Sequence, residues 1–146
     1  MIRVVVDANV FVSGPLRPEG APGRILRMAL SEPSPLKILL SRPIVQEVRR
    51  ALGYSKVQKY LRRRVDPQSW FDDFELVAEV VTEDVAIQAD CRDRDDAMYL
   101  WTAAAGHAEF VISGDGDLQA LTKYRGIPIL SPSAFLVEIQ HRCGRR

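Results

Sequence analysis

The sequence predicts an α/β fold in which helices cover both faces of a central, mostly parallel β-sheet. Short apolar runs alternate with longer segments of helical apolar spacing, the pattern of strands joined by crossover helices. The first run, Ile2–Val6, is rich in β-branched residues, as expected of a buried parallel strand. With 146 residues, 47% hydrophobic and 27% charged, the chain can bury the core of one domain. We expect that domain to span residues 1–140, followed by a short basic tail over residues 141–146.

Five strands are predicted where apolar and β-branched residues form short runs bounded by turn residues. In chain order these runs are Ile2–Val6, Leu36–Leu40, Ala78–Val81, Phe110–Ile112 and Ile127–Leu130. The segment Pro15–Pro22 carries proline and glycine breaks in close order, and therefore predicts a loop.

Helices are predicted where apolar residues recur three and four positions apart between typical helix-end residues. Pro43 and Pro67 suit the first turn of a helix, and Gly53 suits a helix end. The predicted helices are Gly23–Leu30, Ser41–Leu52, Lys56–Arg64, one from Pro67, one after Asp96, a short one after Ser113–Asp117, and Ala134–Ile139. The residues expected to face inward are Trp70, Phe71, Phe74 and Val77 in the helix from Pro67, and Ala97, Leu100, Trp101 and Ala104 in the helix after Asp96.

The net charge of +1 conceals a marked separation of charge along the chain. Residues 42–64 contain eight basic residues and one acid, whereas residues 66–96 contain eleven acids and two arginines. Two solvated helical faces of opposite sign would explain this composition. A basic surface for a polyanion beside an acidic pocket for cations would explain it equally well.

Four carboxylates are predicted to converge at one edge of the sheet. Asp7 and Asp115 follow strands directly, while Glu47 and Asp96 lie near the starts of helices that follow connections at the same edge. Because open α/β sheets bind ligands outside the carboxyl ends of their strands, these acids can line one pocket. Crowded carboxylates repel unless a cation binds, and oxygen ligands favour Mg²⁺ or Mn²⁺.

Each acid also has an ordinary structural explanation. Asp7 could cap the next helix, Glu47 could pair with Arg50, and Asp115 could form a turn. The acids at positions 93–96 could complement a helix N-terminus. The joint pattern favours a shared pocket. In such a pocket like charges repel, so Asp7→Asn should leave the metal-free protein equally stable or slightly more stable.

Four segments resemble, in order and rough spacing, the motifs of PIN domains. Val5–Ser13 resembles the opening strand followed by Asp-x-Asn, and Glu47-Val48 resembles the second acid of the family. Arg92–Ala97 resembles the acidic motif before a helix, and Ser113–Leu118 resembles the last motif. The resemblance runs from residue 2 to about residue 138. It is closest to the bacterial and archaeal PIN proteins that act as toxins of toxin–antitoxin systems, similar to VapC. It implies a PIN-like three-layer α/β/α fold.

The resemblance also implies an RNA endonuclease that uses Mg²⁺ or Mn²⁺ to activate a water for attack on phosphorus. The implied site residues are the acidic core Asp7, Glu47, Asp96 and Asp115, the accessory metal ligand Asp117 and the supporting acid Asp93. Asn9 and Ser113 are implied to position either the carboxylates or the scissile phosphate. Asp95 is adjacent to Asp96, and the register with the helix favours Asp96. PIN toxins commonly form homodimers and bind an antitoxin that blocks the acidic pocket, so we expect both partners here.

Other functions fit parts of the pattern. Haloacid-dehalogenase-like phosphatases also begin with a strand and Asp and can carry a sequence like Gly114–Gly116, but they need an acid where this chain has Asn9. A PIN domain retained only for binding would be favoured by loss of one of the four acids, and all four are present. A housekeeping nuclease of RNA processing would share every motif with a toxin.

A basic segment between residues 56 and 64 is a candidate RNA-binding surface. A cationic helix face can follow a phosphate backbone, and Tyr60 within it can stack on a base. The alternative is a basic helix face exposed to solvent. The residues for which we expect RNA contact are Lys59, Arg62, Arg63 and Arg64.

We expect a cytoplasmic protein without a membrane partner. The apolar runs are too short to span a bilayer, and the first residues lack a signal-peptide pattern. Cys91 and Cys143 show no metal-ligand spacing, which fits a reducing compartment.

Overall fold

The structure, a computed structural model, describes residues 1–54, 56, 57, 59, 66–82 and 94–143. Within these residues strands and helices alternate along the chain. In order they are β1 (Ile2–Val6), α1 (Ala8–Leu16), α2 (Ala21–Leu30), β2 (Leu36–Leu40), α3 (Arg42–Leu52), α4 (Pro67–Val77), β3 (Glu79–Val80), α5 (Arg94–Ala105), β4 (Phe110–Ile112), α6 (Gly116–Ala120), β5 (Lys123–Tyr124), β6 (Ile127–Leu130) and α7 (Pro132–Cys143).

The strands form one six-stranded sheet in the order β3-β2-β1-β4-β6-β5. Four of its pairings are parallel, and the pairing of β5 with β6 is antiparallel. Helices flank this sheet, so the predicted three-layer α/β/α fold with a mostly parallel central sheet is confirmed. The two-residue strand β5 was not predicted, because its sequence Lys123-Tyr124 is too short to carry a periodic signal.

The core lies between the sheet and the helices packed on it. Helix α5 contacts β1, β2 and β4, while α1 contacts both α2 and α3. The first helix inserts Phe11 edge-on against Phe71 and Phe74 of α4, with ring centroids 5.2 and 5.4 Å apart. All three rings are fully buried, which confirms the inward orientation predicted for Phe71 and Phe74.

The predicted loop Pro15–Pro22 is wrong in its length. Helix α1 continues through Pro15 to Leu16, and α2 begins at Ala21. Pro22 lies in the first turn of α2, where no N–H partner is needed, and Pro15 lies in the last turn of α1, where the loss of one backbone hydrogen bond is tolerated. The true connection between these helices is therefore residues 17–20.

Two predicted core positions are also wrong. Val77 and Trp101 are each 38% exposed. Val77 is the last residue of α4 and precedes β3, the strand at one edge of the sheet. Helix α5 buries Leu100, as predicted, and also Ala103. Trp101 lies about 100° further around the helix from Leu100. Trp70 and Ala104 are partly buried.

The ends of the predicted segments also differ from expectation. Helix α7 continues through His141 and Arg142, and Arg142 donates to Glu109 at 2.9 Å and pairs with Glu138. Of the predicted helix Lys56–Arg64, the described residues 56, 57 and 59 are helical, and the others lie outside the described residues. In the part of the chain that the structure describes, no helix is long and apolar enough to cross a membrane.

Candidate active site

The site lies at the carboxyl edge of the sheet, beside its central strands. Strand β1 lies between β2 and β4 in the sheet. The chain builds outward from β1 through β2 to β3, and then continues with β4 on the other side of β1, so the strand order reverses at this point. Open α/β sheets bind ligands in the crevice at such a point. Asp7 follows β1 directly, and its backbone N–H donates to the Ile112 carbonyl of β4 at 2.9 Å. This bond holds the two strand ends side by side.

Asp7 is buried, with 5% of its surface exposed, and its carboxylate is held from several sides. Oδ1 accepts from the Asn9 backbone N–H at 3.1 Å, and this bond caps α1. Oδ2 accepts from the Ser113 hydroxyl at 2.6 Å. The helix-capping explanation of Asp7 is therefore correct, but it does not exclude a second role, because a carboxylate offers about four acceptor positions.

Tyr99 of α5 is a site residue that the sequence analysis missed. Its buried hydroxyl accepts at 3.1 Å from the backbone N–H of Ala8, the residue after Asp7, and Tyr99 and Asp7 line the same cavity. Burial raises the pKa of the Tyr99 hydroxyl far above its usual range, and the charge of Asp7 raises it further. The hydroxyl therefore stays protonated and keeps an O–H that can donate. A tyrosine three positions after Asp96 on the same helix face was the available signal.

Ser113 connects two of the predicted acids. Its hydroxyl oxygen donates to Asp7 and also accepts from the Asp115 backbone N–H at 3.0 Å. Asp115 in turn caps the short helix α6 by accepting from the Leu118 backbone N–H at 3.2 Å. Because Ser113 is fully buried, it is placed to orient carboxylates rather than to reach a phosphate. Of the two roles considered for it, the geometry favours the first.

Glu47 reaches the site from the middle of α3. Arg50 binds both oxygens of its carboxylate, at 2.7 and 3.0 Å, and donates to the Tyr54 hydroxyl at 2.8 Å. The pairing with Arg50 that offered an ordinary explanation of Glu47 is therefore present, and Glu47 lines the acidic cavity as well. An incoming cation would compete with Arg50 for this carboxylate.

One cavity of about 160 Å³ brings the predicted acids together. It is lined by Asp7, Ala8, Asn9, Glu47, Asp96, Met98, Tyr99, Asp115 and Asp117. We call this cavity the acidic pocket. The predicted RNA-contacting residue Lys59 is exposed and does not line it. The predicted residues that lie outside the described residues are Tyr60, Arg62, Arg63, Arg64 and Asp93.

The donor chemistry of the acidic pocket suits a hard divalent cation. Five carboxylates line it, and Mg²⁺ and Mn²⁺ prefer oxygen ligands. Among the described residues, no three acidic, histidine or cysteine side chains converge closely enough to bind one ion together. Mg²⁺ usually keeps several waters and takes only one or two carboxylates from the protein. The carboxylates that line the pocket therefore fit an ion that would be bound partly through water.

The fold and the acidic pocket together define an α/β protein suited to cation-assisted chemistry on phosphate esters. The family model described as PIN domain matches residues 3–117, a range that includes every residue of the acidic pocket. The chain belongs to the PIN domain family. PIN domains are generally nucleases, which hydrolyse phosphodiester bonds, and typically use divalent metal ions. This membership argues against the phosphatase alternative.

An individual protein is also similar to this chain over most of its length. The chain is 30% identical over 149 aligned positions to the protein "Uncharacterized protein MJ1680" of Methanocaldococcus jannaschii. The alignment covers 95% of this chain and 92% of the relative. The two proteins are therefore similar over nearly their whole lengths.

Proposed function

We propose that this protein is a cytoplasmic, metal-dependent RNA endonuclease whose active site is the acidic pocket. The observation that carries the proposal is the convergence of five carboxylates, from four separate parts of the chain, around one cavity at the switch point of the sheet. Without a counterion such a group of acids is unfavourable, since neighbouring negative charges repel. Its presence in one cavity is best explained by a function that needs a cation.

The residues that would hold Mg²⁺ or Mn²⁺ are Asp7, Glu47, Asp96, Asp115 and Asp117. When bound, the ion supplies Lewis acidity, which makes a water more acidic and stabilises charge on phosphate oxygens. The chain's own contribution is orientation. Ser113 holds the Asp7 carboxylate, and the exposed Asn9 at the cavity wall is available to the substrate backbone.

Asp7 keeps acceptor positions for a cation in this arrangement. Two of its roughly four acceptor positions are already used by the Asn9 N–H and the Ser113 hydroxyl. The remaining positions leave Asp7 able to help hold a cation in the pocket. The other carboxylates, less enclosed, supply the remaining contacts directly or through water.

RNA binding is proposed to use the basic segment next to α3. Lys59 is exposed, and Arg62, Arg63 and Arg64 follow it in the sequence. Replacing the three arginines together should weaken RNA binding and reduce its dependence on salt concentration, because fewer counterions are released on binding. An unchanged salt dependence would assign the segment to an ordinary solvated surface.

The proposal is tested by an RNA cleavage assay with purified protein. RNA should be cut with Mg²⁺ or Mn²⁺ and left intact with EDTA. A DNA strand of the same sequence tests whether the enzyme distinguishes ribose from deoxyribose. Asp115→Asn should abolish cleavage, while Asp73→Asn, which changes an exposed acid of α4 outside the acidic pocket, should cut like the wild type. Cleavage that persists in EDTA or in Asp115→Asn would reject the proposed site.

We also propose that the nuclease is the toxin of a toxin–antitoxin pair and forms a homodimer. The support is the resemblance of its motifs to those of VapC-like toxins. The acidic pocket also offers an anionic target for a basic antitoxin segment. Expression of the chain should stop growth, co-expression of a small neighbouring gene should restore it, and Asp7→Asn should be harmless. Unimpaired growth with an active nuclease would favour housekeeping RNA processing instead.

A further inference from the structure

The buried hydroxyl of Tyr99 stands apart from the acids that the motifs identify. The acids are recognisable from the sequence, whereas Tyr99 is a buried side chain of α5, as are the apolar residues Leu100 and Ala103. A phenylalanine would fill the same space with the same apolar area. The hydroxyl therefore needs an explanation of its own, since burying it without partners would cost free energy.

The partners of this hydroxyl divide its hydrogen-bonding capacity between two tasks. It accepts from the Ala8 backbone N–H at 3.1 Å, at the first residue of α1. This bond occupies the acceptor side and leaves the O–H to donate. The Asp7 carboxylate lines the same pocket and is the acceptor at hand, while the Ala8 N–H orients the hydroxyl.

We infer that Tyr99 is a positioning residue, whose hydroxyl holds the Asp7 carboxylate so that its remaining acceptor position faces the acidic pocket. The inference rests on the proposed function for the identity of the cation, but the contact itself does not depend on it. Two donors already hold Asp7, the Asn9 N–H of α1 and the Ser113 hydroxyl after β4. The Tyr99 hydroxyl of α5 is bound to the N–H of the next residue, Ala8, and Tyr99 lines the acidic pocket together with Asp7, so its O–H is placed to be the third. Removing one of them lets the carboxylate rotate within the space that remains.

The test compares Tyr99→Phe with Tyr124→Phe. Tyr124 is a matched control, because its buried hydroxyl has no hydrogen-bond partner among the described residues and it does not line the acidic pocket. Mn²⁺ binding is measured without RNA, by electron paramagnetic resonance of the free ion. Loss of a residue that orients a metal ligand typically weakens metal binding about 10- to 100-fold. Tyr99→Phe should fall in that range, and Tyr124→Phe should bind Mn²⁺ like the wild type.

A kinetic measurement separates positioning from chemistry. Because Tyr99 touches neither the substrate nor the reacting atoms, saturating Mn²⁺ should restore most of the cleavage rate of Tyr99→Phe. The variant should therefore need about 10-fold more Mn²⁺ for half-maximal rate while kcat changes little. Wild-type Mn²⁺ affinity in Tyr99→Phe would overturn the inference and leave Tyr99 as a packing residue.

A double-mutant cycle in the metal-free protein keeps the inference independent of the nuclease proposal. Tyr99→Phe, Asp7→Asn and the double variant are unfolded with urea in EDTA. If Tyr99 acts on the Asp7 carboxylate, its replacement costs less in the Asp7→Asn background, and the two effects are not additive. Additive effects would reject the contact. A wild type that binds no Mn²⁺ would reject the proposed function, and the cycle would still decide the role of Tyr99.

Discussion

Replacement of Asp7 by asparagine is the most informative single change in this protein. The carboxylate accepts from the Asn9 N–H and the Ser113 hydroxyl. Hydrogen bonds to a charged group contribute about 1.5–3 kcal/mol each, against roughly 0.5–1.5 kcal/mol between neutral groups. Asparagine keeps one oxygen for the Asn9 N–H, so it still caps α1. Its amide nitrogen, however, presents hydrogens where a hydroxyl now donates.

These contacts change the sign of the effect expected from the sequence. Loss of the charge weakens two hydrogen bonds by about 1 kcal/mol each, and relief of repulsion from the other acids offsets part of that loss. We expect a net destabilisation of the metal-free protein by about 1–2 kcal/mol. In a chain of 146 residues this lowers Tm by roughly 3–8 °C.

Thermal melts in EDTA and in Mn²⁺ measure this effect and separate it from metal binding. The wild type should gain about 2.7 kcal/mol when the Mn²⁺ concentration is 100 times Kd, and Asp7→Asn should gain much less. Asp73→Asn, an exposed acid of α4, serves as the control and should follow the wild type in both buffers. An Asp7→Asn protein that melts like the wild type in EDTA and gains the same shift with Mn²⁺ would refute the reasoning.

Three further predictions follow from the contacts described above. Phe11→Ala should destabilise the protein by about 3–5 kcal/mol in urea unfolding, because it removes a ring at the centre of the aromatic cluster; a loss below about 1 kcal/mol would contradict this packing. Arg50→Ala should tighten Mn²⁺ binding several-fold because it releases Glu47, and it should lower the free energy of unfolding by about 0.5 kcal/mol. Arg49→Ala is the control and should not change Mn²⁺ affinity, because Arg49 pairs with acids of α4. Because burial raises the pKa of Tyr99 above its ordinary value of 10.0, the folded state retains a proton that the unfolded chain releases. Metal-free stability should therefore fall above pH 10 by up to about 1.4 kcal/mol per pH unit, and Tyr99→Phe should lack that part of the slope.

The sheet and the helices around it could be predicted from local patterns. The strand at Ile2–Val6 is buried on both faces along most of its length, so its β-branched run carries a strong signal. The loop Pro15–Pro22 could not be predicted correctly, because proline is compatible with the first turn of one helix and tolerated in the last turn of another. The exposure of Trp101 was missed because helical spacing identifies an apolar face without saying how far the neighbouring layer extends.

The amino-acid sequence by itself determined the α/β fold class, the acids of the acidic pocket and their separation into motifs. Those features depend on residue type, order and spacing, which are local properties. Only the tertiary structure decided how Asp7 is held, that Arg50 already pairs with Glu47, and that Tyr99 belongs to the site. These facts depend on contacts between residues up to 106 positions apart. Such contacts are set by how α5 and β4 pack beside β1, and no local pattern encodes that distance.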